Sequence, residues 1–484
     1  MRQALIVSLC GSYVLFCLLT MPAAPIAAPD SAGYLGFAPI RALGYPLFVK
    51  VLGAKGAIVA QPVLFAIALA WLGLEALRAT SSLLLAAGIV LASISVPDLR
   101  MYHASILTES LFMTGLVMFL AAAIRFVREP SPANAALAAI LAGLTPSVRG
   151  TGLPLLPVLP IMVLLQWRRL AARRASTLAV AIVPALALVV GERFIARAVH
   201  RENLTSLMGR HAYAKAALIE APPPPMPSPD PLRASLEKHL DVACAPIRDL
   251  INGAPSNLRV VLTVYYEVCL QGPCVPELGR TGPSSQASVN DVLASVAFER
   301  IARAPLEFAT LTARHYRSLW TVNKAGHPGT AAAVNAFIAS HRPLPFERDA
   351  FALRPEDTGS SEFRPYEPVR FVQPIVIVIG WLTGGFALLG LAAAVSLWRL
   401  SSQALAVACL ASLTAHGGLL FSALFAPGIS RYTIGMWPAI MTAVLFGAWW
   451  AWSDMRTRRR SPISSRDPWR FPPSPSPSAS SCRR

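Results

Sequence analysis

Roughly ten apolar runs, near residues 4–21, 57–77, 83–96, 104–126, 133–147, 152–166, 177–195, 372–397, 403–425 and 432–452, leave this chain little choice of fold. A hydrocarbon core about 30 Å thick is crossed by about 20 helical residues. Inside lipid every backbone amide must be satisfied within its own segment, so the runs are expected to be helices. Several runs are short, and their ends are soft by a few residues. Only 14% of the residues are charged and 54% are hydrophobic, whereas an ordinary soluble domain is about a quarter charged. A soluble chain is therefore excluded. The expected fold is an all-α polytopic membrane protein of about ten transmembrane helices, with one extracytoplasmic insert of mixed or unassigned fold. Tryptophans such as Trp71, Trp167, Trp381 and Trp437 lie in or beside the runs, where indole rings serve as interface anchors.

Orientation follows from the short loops, because Lys and Arg beside a span are retained in the cytoplasm. Ten crossings with the N-terminus inside place Arg78, Arg125, Arg128, Arg168, Arg169, Arg173, Arg174, Arg399, Arg456, Arg458, Arg459 and Arg460 on the cytoplasmic side. Both termini are then cytoplasmic, as for a multi-pass protein of the bacterial inner membrane. The net charge of +18 resides largely in these loops and the tail, and needs no nucleic-acid partner to explain it. Four regions result: an N-terminal transmembrane region with the first outer loop (1–195), the extracytoplasmic insert (196–371), a C-terminal transmembrane region (372–452) and a basic, Ser/Pro-rich tail expected to be disordered (453–484). A competing reading of residues 1–28 as a cleaved signal leaves the following loop on the same outer side.

The insert carries a polyproline stretch at 221–231 and a basic amphipathic segment at 292–321 expected to break at Pro305. That segment either lies on the membrane face or packs on its own domain. Cys10, Cys17 and Cys409 fall within spans as small apolar fillers, and Cys482 lies in the tail. Cys244, Cys269 and Cys274 fall in the insert, where one disulfide could form with its pairing open. No CxxC or HExxH pattern occurs, so no sequence signature marks a zinc site.

Chemistry-bearing residues gather on the outer side. Asp30 lies a few residues beyond the first span, at the height of a lipid-borne substrate, where a carboxylate could act as general base or cap a short helix starting near Ser31. Arg41, Lys50 and Lys55 stand in the same loop against the positive-inside bias, either neutralising a lipid phosphate or touching anionic headgroups. Arg149, in a turn between two apolar runs, and Arg431, at the start of the last one, are ionisable groups at membrane depth, costly unless used or snorkelled to the interface. Asp98 and Glu109 flank the second outer connection. Glu109 is expected about one and a half turns into its helix, there to orient a donor, to bind a divalent ion, or to pair with Arg100 or Arg149.

Taken in order, Asp30 with the following Tyr34, the segment Gly44-Tyr45-Pro46-Leu47-Phe48, the helix start Leu107-Thr108-Glu109-Ser110-Leu111-Phe112, the turn from Gly143 through Arg149 to Gly152, and Arg431-Tyr432 resemble the GT-C superfamily of integral membrane glycosyltransferases. Within it the likeness is to bacterial relatives of protein mannosyltransferases and aminoarabinose transferases. It covers about the first 200 residues and the last spans, not the insert. The resemblance implies sugar transfer, with inversion, from a polyprenyl-phosphate donor to an acceptor hydroxyl or amine on the outer face, among membrane lipids. It places Asp30 in the catalytic acidic position, and Asp98 is the one nearby residue to offer as a second catalytic acid. Tyr34, Arg41, Tyr45, Glu109, Arg149, Arg431 and Tyr432 would bind substrate. Ser31 stands where many relatives carry another acidic residue, which leaves the need for a divalent cation open.

Two other classes fit a polytopic chain: a lipid or glycan transporter or flippase, and a scaffold for an envelope complex. A transporter would need a polar path through the bilayer, whereas the acidic candidates cluster at one face. The topology is itself testable. Reporter fusions at Ser228 and Ser461 are expected to give opposite compartment signals, and equal signals would contradict the ten-crossing arrangement.

Overall fold

In the computed structural model, residues 1–26, 30–38, 41–96, 99–200, 208–224, 230–242, 245, 286–320, 373–397, 400, 402–425 and 430–460 are described. Asp98, Cys244, Cys269, Cys274, the middle of the polyproline stretch and the tail beyond residue 460 lie outside them, as does the side chain of Arg431. The described chain is helical, with one isolated bridge between Ile26 and Ser105. Among the described residues seven helices are long and apolar enough to cross a membrane: Arg2–Leu19, Gly44–Thr80, Glu109–Arg128, Trp167–His200, Pro374–Val395, Gln403–Phe425 and Tyr432–Arg456. Three shorter apolar helices, Leu83–Ile94, Pro132–Val148 and Gly150–Leu165, occupy the short runs of the sequence. The described residues are all-α, with the helices of a multi-pass membrane protein.

Three of the apolar helices begin where the sequence supplies a serine cap. Ser82 accepts a hydrogen bond from the Leu85 amide at 3.2 Å, Ser131 from Asn134 at 3.3 Å with Pro132 following it, and Ser402 from Leu405 at 3.1 Å. Gly53 adopts φ +69° inside Gly44–Thr80 and kinks it, which sets residues 44–52 apart as a first helical segment. The last helix, Ser430–Arg460, runs past the expected boundary at 452. Residues 453–460, expected to be disordered, belong to it, because basic residues at a helix C-terminus favour the dipole.

Glu109–Arg128 and Gln403–Phe425 form the middle of the bundle, whereas Trp167–His200 turns most of its surface outward. The first of these packs on Gly44–Thr80, Pro132–Val148 and the last helix, and the second on Gln373–Val395 and the last helix. Apolar burial gives little drive between helices in lipid, so small residues set the closest approaches. A Cβ on Gly143 would lie 2.8 Å from the Ala185 Cα, which marks the contact between Pro132–Val148 and Arg174–His200. Cys10, Cys17 and Cys409 are free and buried in this packing.

In the insert, the helices Met208–Ala216, Pro231–Val242, Gln286–Arg303 and Pro305–Leu319 share a small core of their own around Tyr213, Leu236, Leu240, Leu293 and Val296. The described part is thus helical rather than mixed. The break falls at Ala304, with Pro305 in the first turn of the second helix. Arg300, buried, holds the carbonyls of Ala216 and Ile219 at 3.1 and 3.2 Å and the Asp241 carboxylate at 2.8 Å. The Pro305–Leu319 helix packs both on this core, through Leu311, and on the bundle. Lys215, bonded to His315, donates to the Ala423 carbonyl at 2.7 Å; Tyr316 meets His416; and the Thr433 hydroxyl donates to the Leu319 carbonyl at 2.6 Å. Burial pushes the Lys215 amine well below its ordinary pKa.

At the end of the bundle away from the insert, Glu75 is fully buried between Arg78 at 2.6 Å and Arg128 at 2.9 Å. Arg169 donates to the carbonyls of Val127 and Arg128 at 2.7 and 3.2 Å, closing the end of the Glu109 helix. Removing one partner of a buried ion pair strands the other. Here Arg78 is half exposed and Arg128 keeps Glu129 at 3.0 Å, so Glu75→Ala is expected to cost about 1–3 kcal/mol, whereas Glu129→Ala, at an exposed residue, should stay within about 0.5 kcal/mol. Thermal unfolding of the purified variants in detergent checks the contrast.

Candidate functional site

After the first helix the chain turns back, and Ile26 pairs with the connection at 105: its amide donates to the Ala104 carbonyl at 2.8 Å, and the Ile106 amide donates to its carbonyl at 3.2 Å. This pairing cuts short the run expected from residue 104: Ala104 ends a separate short helix, Leu99–Ala104, and the long helix begins only at Glu109, as Glu109–Arg128. Glu109 is consequently the first residue of its helix, not one and a half turns inside it, and its charge is favoured there by the helix dipole. The divided backbone is satisfied by side chains. Gln61 donates to the carbonyls of His103 and Ser105 at 2.8 and 3.2 Å, and His103 is bonded to Ser110 at 2.6 Å and to Tyr13 at 2.8 Å.

The Ser31 hydroxyl donates to the Ile106 carbonyl at 2.9 Å, which seats the short helix Ser31–Leu35 on this break. Asp30 occupies the N-cap position but its side chain makes no cap hydrogen bond. Its carboxylate instead takes the Arg41 guanidinium at 2.9 Å, and both side chains are mostly buried. Arg41 also lies over the Tyr34 ring at 4.8 Å, and Tyr34 meets Tyr45 edge-on at 5.0 Å. The Tyr45 hydroxyl donates to Gln61 at 3.3 Å, joining this group to the break.

Arg149 closes the other side. It ends Pro132–Val148 in extended backbone, and its guanidinium contacts the Glu109 carboxylate at 2.5 Å, lies 5.0 Å from the centre of the Tyr432 ring, and reaches Thr108 at 3.4 Å. It points inward rather than snorkelling, with 13% of its side chain exposed. Arg100 is exposed, and the Glu109 ion pair is made with Arg149. Phe112, Thr151, Tyr432 and Gly435 line a crevice beside Arg149 that is too tight for a water molecule. Tyr34 feels the charges of Asp30, Arg41, Glu109 and Arg149, so the two ion pairs share one neighbourhood. Burial first, and Asp30 next, push its hydroxyl above the ordinary tyrosine range.

Seven of the nine sequence candidates, Asp30, Tyr34, Arg41, Tyr45, Glu109, Arg149 and Tyr432, thus meet at one end of the bundle. The backbone of Arg431 adjoins Tyr432 in the last helix, and Asp98 lies outside the described residues. Lys50 lies over the Phe37 ring at 5.4 Å. Sequence reasoning missed Gln61 and His103, and the contact of Ser31 to Ile106, which hold the break together; the signal available was a glutamine inside an apolar run. A divalent cation does not fit the described residues. Asp30 and Glu109 each hold an arginine, Ser31 is committed to a carbonyl, and no three His, Cys, Asp or Glu side chains converge.

The arrangement can hold an anion by exchange, since each guanidinium can trade its carboxylate for a phosphate. No family model, no curated protein and no solved structure matches the chain. The buried pair also decides how its variants behave. Arg149→Ala strands Glu109 and is expected to cost about 3–5 kcal/mol, whereas the double variant Arg149→Leu with Glu109→Leu should regain most of that. Thermal unfolding of the two proteins side by side checks the pair.

Proposed function

We propose that this chain is a membrane glycosyltransferase of the GT-C kind, moving a sugar from a polyprenyl-phosphate donor to an acceptor hydroxyl or amine on the extracytoplasmic face of the inner membrane, with inversion. The observation that carries the reading is the convergence of two arginine–carboxylate pairs with Tyr34, Tyr45 and Tyr432, where the first outer loop meets the ends of three membrane helices. The topology that goes with it has ten crossings, the three short helices included, and both termini in the cytoplasm. A helix of 12 residues such as Leu83–Ile94 rises about 18 Å, so in this arrangement its flanks and neighbours make up the rest of the crossing.

In the proposed reaction the acceptor's heteroatom attacks the anomeric carbon as the bond from that carbon to the phosphate oxygen breaks. Asp30 takes the acceptor's proton, and the polyprenyl phosphate departs with the bonding electrons. The sugar passes through an oxocarbenium-like state while negative charge grows on the leaving group. Arginines already held in a poorly hydrated cleft stabilise that charge without reorganising. Arg41 and Arg149 are the described cations at that place, and Arg431 stands in the first turn of the last helix. A donor phosphate that takes Arg41 releases the Asp30 carboxylate to act as base. Since the Arg149 crevice is shut, donor entry would have to part Tyr432 from Phe112.

The test is reconstitution in liposomes with a labelled polyprenyl-phosphate sugar and added acceptors. Label transferred to an acceptor supports the enzyme, movement across the bilayer without cleavage would mean a flippase, and neither would leave a scaffold. Asp30→Asn keeps size and most hydrogen bonding, so the protein should still insert and bind donor while turnover falls by roughly 10²–10⁴-fold. Wild-type turnover in correctly inserted Asp30→Asn protein removes Asp30 from the mechanism.

A further inference from the structure

The geometry points to a binding site for the headgroup of an anionic phospholipid at the end of the bundle opposite the Asp30–Arg149 cluster. The two ends are joined by one helix. In Gln403–Phe425, Ser422 lines the crevice beside Arg149, while Gln403 lines a second cleft. Nineteen residues separate them, which at about 1.5 Å each is roughly 28 Å, close to the roughly 30 Å of a hydrocarbon core. A chain that keeps the first crevice at one headgroup layer therefore holds the second at the other.

The second cleft is open, with a volume of about 190 Å³. That is below the roughly 300–1,000 Å³ of pockets for whole small molecules and suits a headgroup. One wall is Gln166, Arg168 and Arg169, and the other is Leu397, Leu400 and Gln403. Gln166 is 6% exposed. Its Oε1 accepts from Arg169 at 3.0 Å, while its Nε2 has no hydrogen-bond partner among the described residues. Arg168 is exposed and likewise makes no hydrogen bond or ion pair among them. Arg169 is fixed by carbonyls rather than by a carboxylate, so its charge is not cancelled locally. The capped first turn of Gln403–Phe425 adds the positive end of a helix dipole on the facing wall.

No carboxylate lines the cleft. An unpartnered amide donor on a largely buried side chain that lines the cleft, two uncancelled guanidinium charges and a helix N-terminus together ask for a phosphodiester. The leucines beside them ask for acyl chains, which a free phosphate does not have. Basic pockets between membrane helices hold anionic headgroups in this way.

The test uses the full-length protein in uncharged detergent, titrated with phosphatidylglycerol or phosphatidylcholine and read by native mass spectrometry. Phosphatidylglycerol should be retained in preference. Arg168→Glu, at a side chain without a partner, and Gln166→Leu should each cut that preference, the first by roughly tenfold. Arg173→Glu, an exposed arginine outside the cleft, should leave it intact. Equal retention of the two lipids, an unchanged preference in Arg168→Glu, an equal loss in Arg173→Glu, or displacement of the lipid by inorganic phosphate would each overturn the site. None of these readouts involves sugar transfer, so the site stands or falls apart from the proposed enzyme.

Discussion

The ion pair between Glu109 and Arg149 holds the rest of the site end in place. Two charges at membrane depth are costly unless they meet, and these two come from different helices, the start of one and the end of the next. Arg149 then reaches a third through Tyr432. Fixing that end sets how the helices descend. Gly115 lies against Thr145 and Gly143 against Ala185, approaches that tolerate no side chain on either glycine. Because lipid offers helices little apolar reason to associate, such close contacts and a few polar bonds carry the packing.

The helical membrane architecture was legible because the apolar runs are long and the backbone has no alternative to helix inside lipid. Glu109 and Arg149 were legible as ionisable groups beside apolar runs. Their pairing was one of several options, because sequence spacing does not tell which helix ends meet. The break before Glu109 was hidden. It depends on Ile26, about 80 residues earlier, offering its backbone to Ala104 and Ile106. Asp30 illustrates the same limit. Its cap position could be read from the neighbouring Ser31, yet its carboxylate goes eleven residues along the loop to Arg41, a contact made only once the Ser31 helix is seated on the break. Lys215 gave no signal, since its partners His315 and Ala423 are about 100 and 208 residues away.

Arginine does different work at the two ends of one bundle. At the site end Arg41 and Arg149 each face a carboxylate and an aromatic ring. At the opposite end Arg169 faces carbonyls, Arg174 lies over Trp167 at 5.5 Å, and Arg168 faces outward. The first arrangement suits a poorly hydrated interior, where an uncancelled cation is expensive. The second suits a headgroup layer, where lipid phosphates supply the counter-charge. The net charge of the chain therefore says less about its partners than where each arginine finds its negative charge.

The paired state also bears on how the proposed transfer would begin. With Asp30 on Arg41 and Glu109 on Arg149 the cluster is close to neutral, and its crevice is shut. An arriving phosphate adds negative charge that only the guanidinium groups can meet, so it competes with the carboxylates for them. Each exchange leaves a carboxylate without its cation in a low-dielectric place, where taking up a proton becomes more favourable. In the proposed transfer that is the task given to Asp30 as general base. In such a site, binding the donor and raising the basicity of Asp30 are one event, and a base held by its arginine until donor arrives has no reason to react with water beforehand.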